Sequence, residues 1–118
     1  MYWGYHLMLD CSGCEIEKIS DRSNIYNFTK ELVQRIDMTA HGEPIIEHLL
    51  PGDPKQGYSL MQLITTSNIC AHFMEIDGTA YFDIFSCKEF DIEIAKQVVS
   101  EYFDPKKMRV NFITRHAD

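Results

Sequence analysis

"YSLMQLITTSNICAHFMEIDGTAYFDIFSC", residues 58–87, is the stretch that decides the fold. It holds three runs rich in β-branched, aromatic and long apolar residues: 58–66, 69–76 and 79–87. Asp77–Gly78 separates the last two and is a strong hairpin signal. The runs predict an antiparallel meander. Working upstream, "PGDPKQG" (51–57) carries two prolines and two glycines and predicts a loop, "IIEHLL" (45–50) a short strand, and "HGEP" (41–44) a turn. Residues 23–38 place Ile25, Phe28, Leu32 and Ile36 at helical spacing, with Ser23 as the expected N-cap. Downstream, 91–103 predict a second helix capped by Asp91, with Ile92, Ala95, Val98, Val99 and Tyr102 inward and "DPKK" ending it. "MRVNFIT" (108–114) alternates as a last strand, and "YWGYHLMLD" (2–10) reads as the first, stopped by "CSGC".

The resulting order is β-α-β-β-β-β-α-β over one domain, residues 1–118. The expected fold class is α/β (α+β): a two-layer sandwich, a mostly antiparallel sheet with two helices on one face. Trp3, Tyr5, Phe73, Tyr81, Phe82 and Phe85 must then divide between the two sides of the sheet. A second sheet from a partner chain would cover the open side, giving an αββα homodimer.

A net charge of −7 argues against a phosphate-backbone binder, so no nucleic-acid partner is expected, whereas a small cationic substrate suits it. Nothing at the N-terminus reads as a signal peptide, and no apolar run reaches membrane-spanning length. A cytoplasmic protein without a membrane partner is expected. The cysteines are Cys11, Cys14, Cys70 and Cys87. A lone CxxC without a second ligand pair predicts no metal site, and reduced thiols at a strand end are the reading adopted.

Chemistry concentrates around Ser67. A serine hydroxyl can attack the carbonyl before it, here that of Thr66, converting amide to ester. Removal of the serine α-proton then cuts the chain and leaves a pyruvoyl end. The first step needs a donor for the developing oxyanion and a nearby base, which His72 and Ser59 could supply. A pyruvoyl ketone is a covalent electron sink for decarboxylating an amine substrate, and a thiol such as Cys87 can return the proton. Ser67 and His72 are five apart and face opposite sides of a regular strand. One site can use both only if "TSN" (66–68) breaks the strand between them. Each residue also has an ordinary structural reading: a turn serine, a hydrogen-bonded strand histidine, a buried thiol.

Ser67, then "NICAHF" with His72, then "AYFDIFSC" with Cys87, resembles the short, single-domain S-adenosylmethionine decarboxylases of bacteria and archaea. "GYHLMLD" (4–10) and "LLP" (49–51) followed by Ser59 resemble the same family, and the likeness runs from residue 4 to about 114. The resemblance implies a pyruvoyl group made from Ser67 by cleavage at Thr66–Ser67, with processing assisted by His72 and Ser59. It implies protonation by Cys87, a dimer stacked through its sheets, and a role in spermidine and other polyamine biosynthesis.

The sequence also departs from that family. Thr66 stands where a glutamate usually precedes the serine. Phe73, Met74, Glu75 and Ile76 replace Thr-Trp-Pro-Glu, which displaces the glutamate by one position. Leu49 replaces an aromatic that packs on adenine. Leu49 and Glu75 are therefore the expected, altered substrate-binding residues, and an acidic pocket with Glu75 or Asp77 would suit a cationic amino acid. A pyruvoyl-dependent ornithine or arginine decarboxylase is the alternative, and an unprocessed homologue that binds S-adenosylmethionine or regulates a partner subunit is another.

Overall fold

The computed structural model of the chain describes residues 2–118. Six strands form one antiparallel sheet: β1 (Gly4–Ser12), β2 (Ile45–Leu49), β3 (Gly57–Ile64), β4 (Ser67–Met74), β5 (Thr79–Ser86) and β6 (Lys107–Arg115). Their spatial order is β2-β3-β4-β5-β1-β6. Each meander strand lies beside the next, and β1 inserts between β5 and the last strand.

Two helices cover one face, as expected: α2 (Arg22–Arg35) and α3 (Ile92–Phe103). A short helix, α1 (Ile16–Ile19), precedes them and was not expected, since one turn leaves no periodicity to read. The N-cap of α2 is Asp21 rather than Ser23, and its carboxylate accepts from the Ser23 N–H at 3.0 Å. Asp91 caps α3 as predicted, accepting from the N–H groups of Glu93 and Ile94.

The alternation of each strand sends one set of side chains under the helices. Leu7, Leu9, Ile69, Ala71, Phe73, Ala80, Phe82 and Ile84 are all buried there against Ile25, Phe28, Leu32, Val98, Val99 and Phe103. Four phenylalanines interlock at the centre: Phe28, Phe73, Phe82 and Phe103, with ring centroids 4.8–5.6 Å apart. Burying each such side chain contributes roughly 1.5–3 kcal/mol. Phe103 takes the innermost place that the sequence pattern gave to Tyr102, whose hydroxyl instead reaches Glu31 at 2.6 Å.

The opposite set of side chains lies on a face that none of the three helices covers. It includes His6, Met8, Ser59, Met61, Leu63, Asn68, Cys70, His72, Tyr81, Asp83, Phe85 and Ile113. Met61, Leu63, Tyr81 and Ile113 are each 42–52% exposed. The sequence-predicted division of aromatics thus resolves with Phe73 and Phe82 inside and Tyr81 and Phe85 on the open face.

Candidate active site

The site begins at the tight connection between β3 and β4. Ile64 pairs with Ser67, so Thr65 and Thr66 alone make the turn. The break in the chain therefore precedes Ser67. The expectation of a break between Ser67 and His72 is corrected: β4 keeps unbroken register with both neighbours from Ser67 to His72. Ser67 is extended (φ 158°) and opens the strand opposite Ser86.

Two bonds hold the Thr66–Ser67 peptide against the end of β5. The backbone N–H of Cys87 donates to the Thr66 carbonyl oxygen at 3.0 Å. The Thr66 and Ser86 hydroxyls meet at 2.7 Å. The carbonyl that Ser67 would attack thus already carries a donor where an oxyanion would develop. The Cys87 side chain is exposed, and its residue is the immediate neighbour of this clamp.

His72 and Ser59 form a second group. They are cross-strand partners, and Ser59 Oγ lies 2.9 Å from His72 Nδ1. His72 lies five positions along the strand from Ser67, roughly 16 Å at the usual rise. Alternation also puts them on opposite faces, His72 on the open one. The structure therefore gathers Thr66, Ser67, Ser86 and Cys87 at one end of the sheet and keeps Ser59 with His72 apart from them.

The altered positions lie elsewhere again. Leu49 ends β2 opposite Gly57 and is 47% exposed. Glu75 falls in the turn after β4, beyond the strand that the sequence extended to residue 76. Its carboxylate binds His48 Nε2 at 2.8 Å and accepts from Gln56 Nε2 at 2.9 Å. Glu75 lines a shallow cleft with Gly52, Asp53, Pro54, Gln56 and Ile76. Asp77 accepts from the Thr79 N–H and hydroxyl, which commits it to the turn.

Sequence reasoning did not find two groups. One is Ser86, fully buried beside the clamp. The other joins three strands on the open face: Arg115 lies 3.2 Å from His6 Nδ1, and His6 Nε2 lies 3.0 Å from Asp83. A guanidinium only donates, so Nδ1 accepts and Nε2–H donates to Asp83. Arg115 also sits 4.7 Å over the Phe85 ring. Strand alternation in β1 and β5 was the available signal, but pairing residues 77 apart needs the sheet order.

Burial, with the neighbouring Cys14 and Asp10, pushes the Cys11 thiol up to about 12, and burial pushes Cys14 up to about 11. Both are free and buried. β1 continues through Cys11 and Ser12 before Gly13 turns the chain at φ 68°, so "CSGC" straddles the strand end. Among the described residues, no group of three or more His, Cys, Asp or Glu could hold a metal ion, and no helix is long and apolar enough to cross a membrane.

Comparison with known proteins gives a consistent answer. The family model for S-adenosylmethionine decarboxylase matches residues 5–116. An S-adenosylmethionine decarboxylase proenzyme of Clostridium botulinum (strain Loch Maree / Type A3) is 29% identical over 115 residues, 97% of this chain and 95% of that protein. One from Pyrococcus furiosus is 26% identical over 113 residues, 95% of this chain and 78% of that protein. The crystal structure of the adenosylmethionine decarboxylase from Aquifex aeolicus superposes with a TM-score of 0.83 at 20% identity, over 99% of this chain and 93% of that one, which shows a shared fold.

Proposed function

The chain belongs to the S-adenosylmethionine decarboxylase family, and on that premise we propose that it cuts itself between Thr66 and Ser67 and then decarboxylates S-adenosylmethionine. The observation that carries this reading is the Cys87 N–H on the Thr66 carbonyl oxygen at 3.0 Å. It supplies the oxyanion donor that an intramolecular attack by Ser67 requires.

The chemistry runs as follows. Ser67 Oγ gives its proton to a base and bonds to the Thr66 carbonyl carbon, whose electron pair moves onto the oxygen held by Cys87. Collapse breaks the C–N bond, and the Ser67 nitrogen takes up the proton, so amide becomes ester. Loss of the Ser67 α-proton then breaks the Cβ–Oγ bond and releases residues 1–66 as a carboxylate. The dehydroalanine left at position 67 tautomerises and takes up water, releasing ammonia. The residues present fit this origin for the pyruvoyl group: the serine opens a strand, and its preceding carbonyl is clamped. The group supplies the electron sink for loss of CO₂ from an α-amino acid. Cys87, exposed beside that end of the sheet, is the proton donor, and the product feeds polyamine synthesis.

The base is the His72–Ser59 pair, acting between protomers. Within one chain, about 16 Å of strand and a change of face separate His72 from Ser67. Stacking two open faces would cover the exposed Met61, Leu63, Tyr81 and Ile113 and set the pair of one protomer against the partner's sheet, where it would approach the Thr66–Ser67 peptide at the turn that precedes β4 rather than through the strand. Ser59 Oγ at Nδ1 fixes the imidazole so that Nε2 faces outward.

A second reading keeps the mechanism and changes the substrate to ornithine or arginine. Leu49 favours it, because an exposed aliphatic side chain offers no ring to stack on adenine. Comparing CO₂ release from S-adenosylmethionine, ornithine and arginine separates the two. S-adenosylmethionine is the expected substrate, and a clear preference for either amino acid overturns that choice.

A further inference from the structure

We infer that Ser86 is a positioning residue for self-cleavage, acting through Thr66 on the carbonyl that Ser67 attacks; the inference rests on the self-cleaving reading above and goes beyond it. Ser86 is fully buried although its side chain is polar. Its oxygen accepts the Lys88 backbone N–H at 3.0 Å and lies 2.7 Å from Thr66 Oγ1. The other neighbour of both hydroxyls is the Met38 thioether, 3.4 Å from Thr66 Oγ1 and 3.7 Å from Ser86 Oγ. A thioether is a weak acceptor. Of the two contacts of the Thr66 hydroxyl, the bond to Ser86 is therefore the strong one.

Its effect on the reaction follows from covalent geometry. A β-branched threonine is stiff at χ1, so fixing Oγ1 fixes the side chain relative to its own backbone. The Thr66 carbonyl is held a second time, by the Cys87 N–H. Two anchors from consecutive residues, Ser86 at the end of β5 and Cys87 just beyond it, orient the peptide plane of Thr66–Ser67. With Ser86 truncated, only the amide anchor remains, and the half-buried Thr66 hydroxyl and the Lys88 N–H each lose a partner. Attack geometry is steep in position, and a displacement near 1 Å costs roughly a hundredfold in rate. This arrangement also accounts for a threonine at position 66: a short hydroxyl side chain reaches Ser86 inside the fold.

The test measures three rates by intact mass on freshly folded full-length chain: wild type, Ser86→Ala and Thr66→Val. Both substitutions delete the same bond, so both should slow cutting at least tenfold, while Ser86→Thr, which keeps the hydroxyl, should restore most of the rate. Hydroxylamine cleaves the ester but not the amide, and it reports the first step alone. Release of 1–66 by hydroxylamine should fall in proportion to spontaneous cutting. Continued fast release by hydroxylamine in Ser86→Ala would mean that the ester still forms, and would overturn the role. Wild-type cutting in either Ser86→Ala or Thr66→Val overturns it as well. A wild-type chain that never cuts removes the self-cleaving reading itself, a result distinct from both. Melting of each substitution in the uncut Ser67→Ala background separates positioning from loss of fold. A normal melt with slow cutting supports positioning, and slow cutting that tracks a collapsed melt in both variants refutes it.

Discussion

Gly4 is the position where one methyl group tests the link between sheet packing and chain cleavage. It lies on β1 against the end of β5. A Cβ added there would meet the Ser86 carbonyl oxygen at 2.3 Å and Cys87 Cα at 2.7 Å. Both are backbone atoms and cannot rotate away. Ordinary contact begins near 3.4 Å, so the end of β5 must retreat by about 1 Å. Overpacking of this kind costs roughly 1–3 kcal/mol. The same retreat pushes the end of β5 toward β4 and so shifts the Cys87 N–H from its place on the Thr66 carbonyl, to which it now donates at 3.0 Å. Displacing a reacting group by about that distance slows reaction roughly a hundredfold. Gly4→Ala should therefore show two effects. Urea unfolding in the uncut Ser67→Ala background should report the lost stability, and intact mass over time should report slow cleavage in the Ser67 chain. A Gly4→Ala protein with an unchanged midpoint and the parent's cutting rate would refute the reasoning. A stability loss without slower cutting would refute the role of the Cys87 amide alone.

Other outcomes follow from the same geometry. Cys87→Ala keeps its backbone N–H, so it should cut at the parent's rate yet lose roughly 10²- to 10⁴-fold in CO₂ release, the range for a general acid; unchanged turnover would remove Cys87 as proton donor. Co-folding Ser67→Ala with His72→Ala chains should restore cutting of the His72→Ala chain, because its partner supplies the imidazole, whereas cutting of His72→Ala alone at full rate would contradict action between protomers. Cys11 and Cys14 hold their protons to about 12 and about 11 when folded. Unfolded thiols lose theirs near about pH 8.5–9, so stability present below that pH should fall as pH rises further, by about 1.4 kcal/mol per unit for each thiol. Urea midpoints under reductant from about pH 8 to about pH 10.5 measure that slope, which the Cys11→Ala/Cys14→Ala variant should flatten; parallel slopes would contradict it.

The meander and both long helices were legible because their signals are local. Asp77–Gly78 marked one turn, Asp91 capped α3, and Ile25, Phe28, Leu32 and Ile36 lie where the helical spacing placed them. Strand ends were harder. Thr65 and Thr66 read as strand but form the turn, because β-branched residues tolerate both. That shift of two residues decides the site, since it places the break before Ser67 and leaves Glu75 in a turn bound to His48 and Gln56. The structure sets Cys87 beside the Thr66–Ser67 peptide through its backbone N–H. Their separation from His72 follows from strand length and alternation, both of which the sequence carries. Ser86, and the Arg115–His6–Asp83 group, depend on which strands are neighbours, and β1 enters the sheet from far away in sequence.

The central claim is that the Thr66–Ser67 bond is cut by the protein itself. Intact mass of the purified chain, denatured and reduced, tests it most directly. The account predicts two fragments, residues 1–66 and residues 67–118 with a pyruvoyl end, and a single uncut chain for Ser67→Ala. A wild-type chain that stays whole at 13.7 kDa on long incubation would contradict it and point to the non-catalytic homologue.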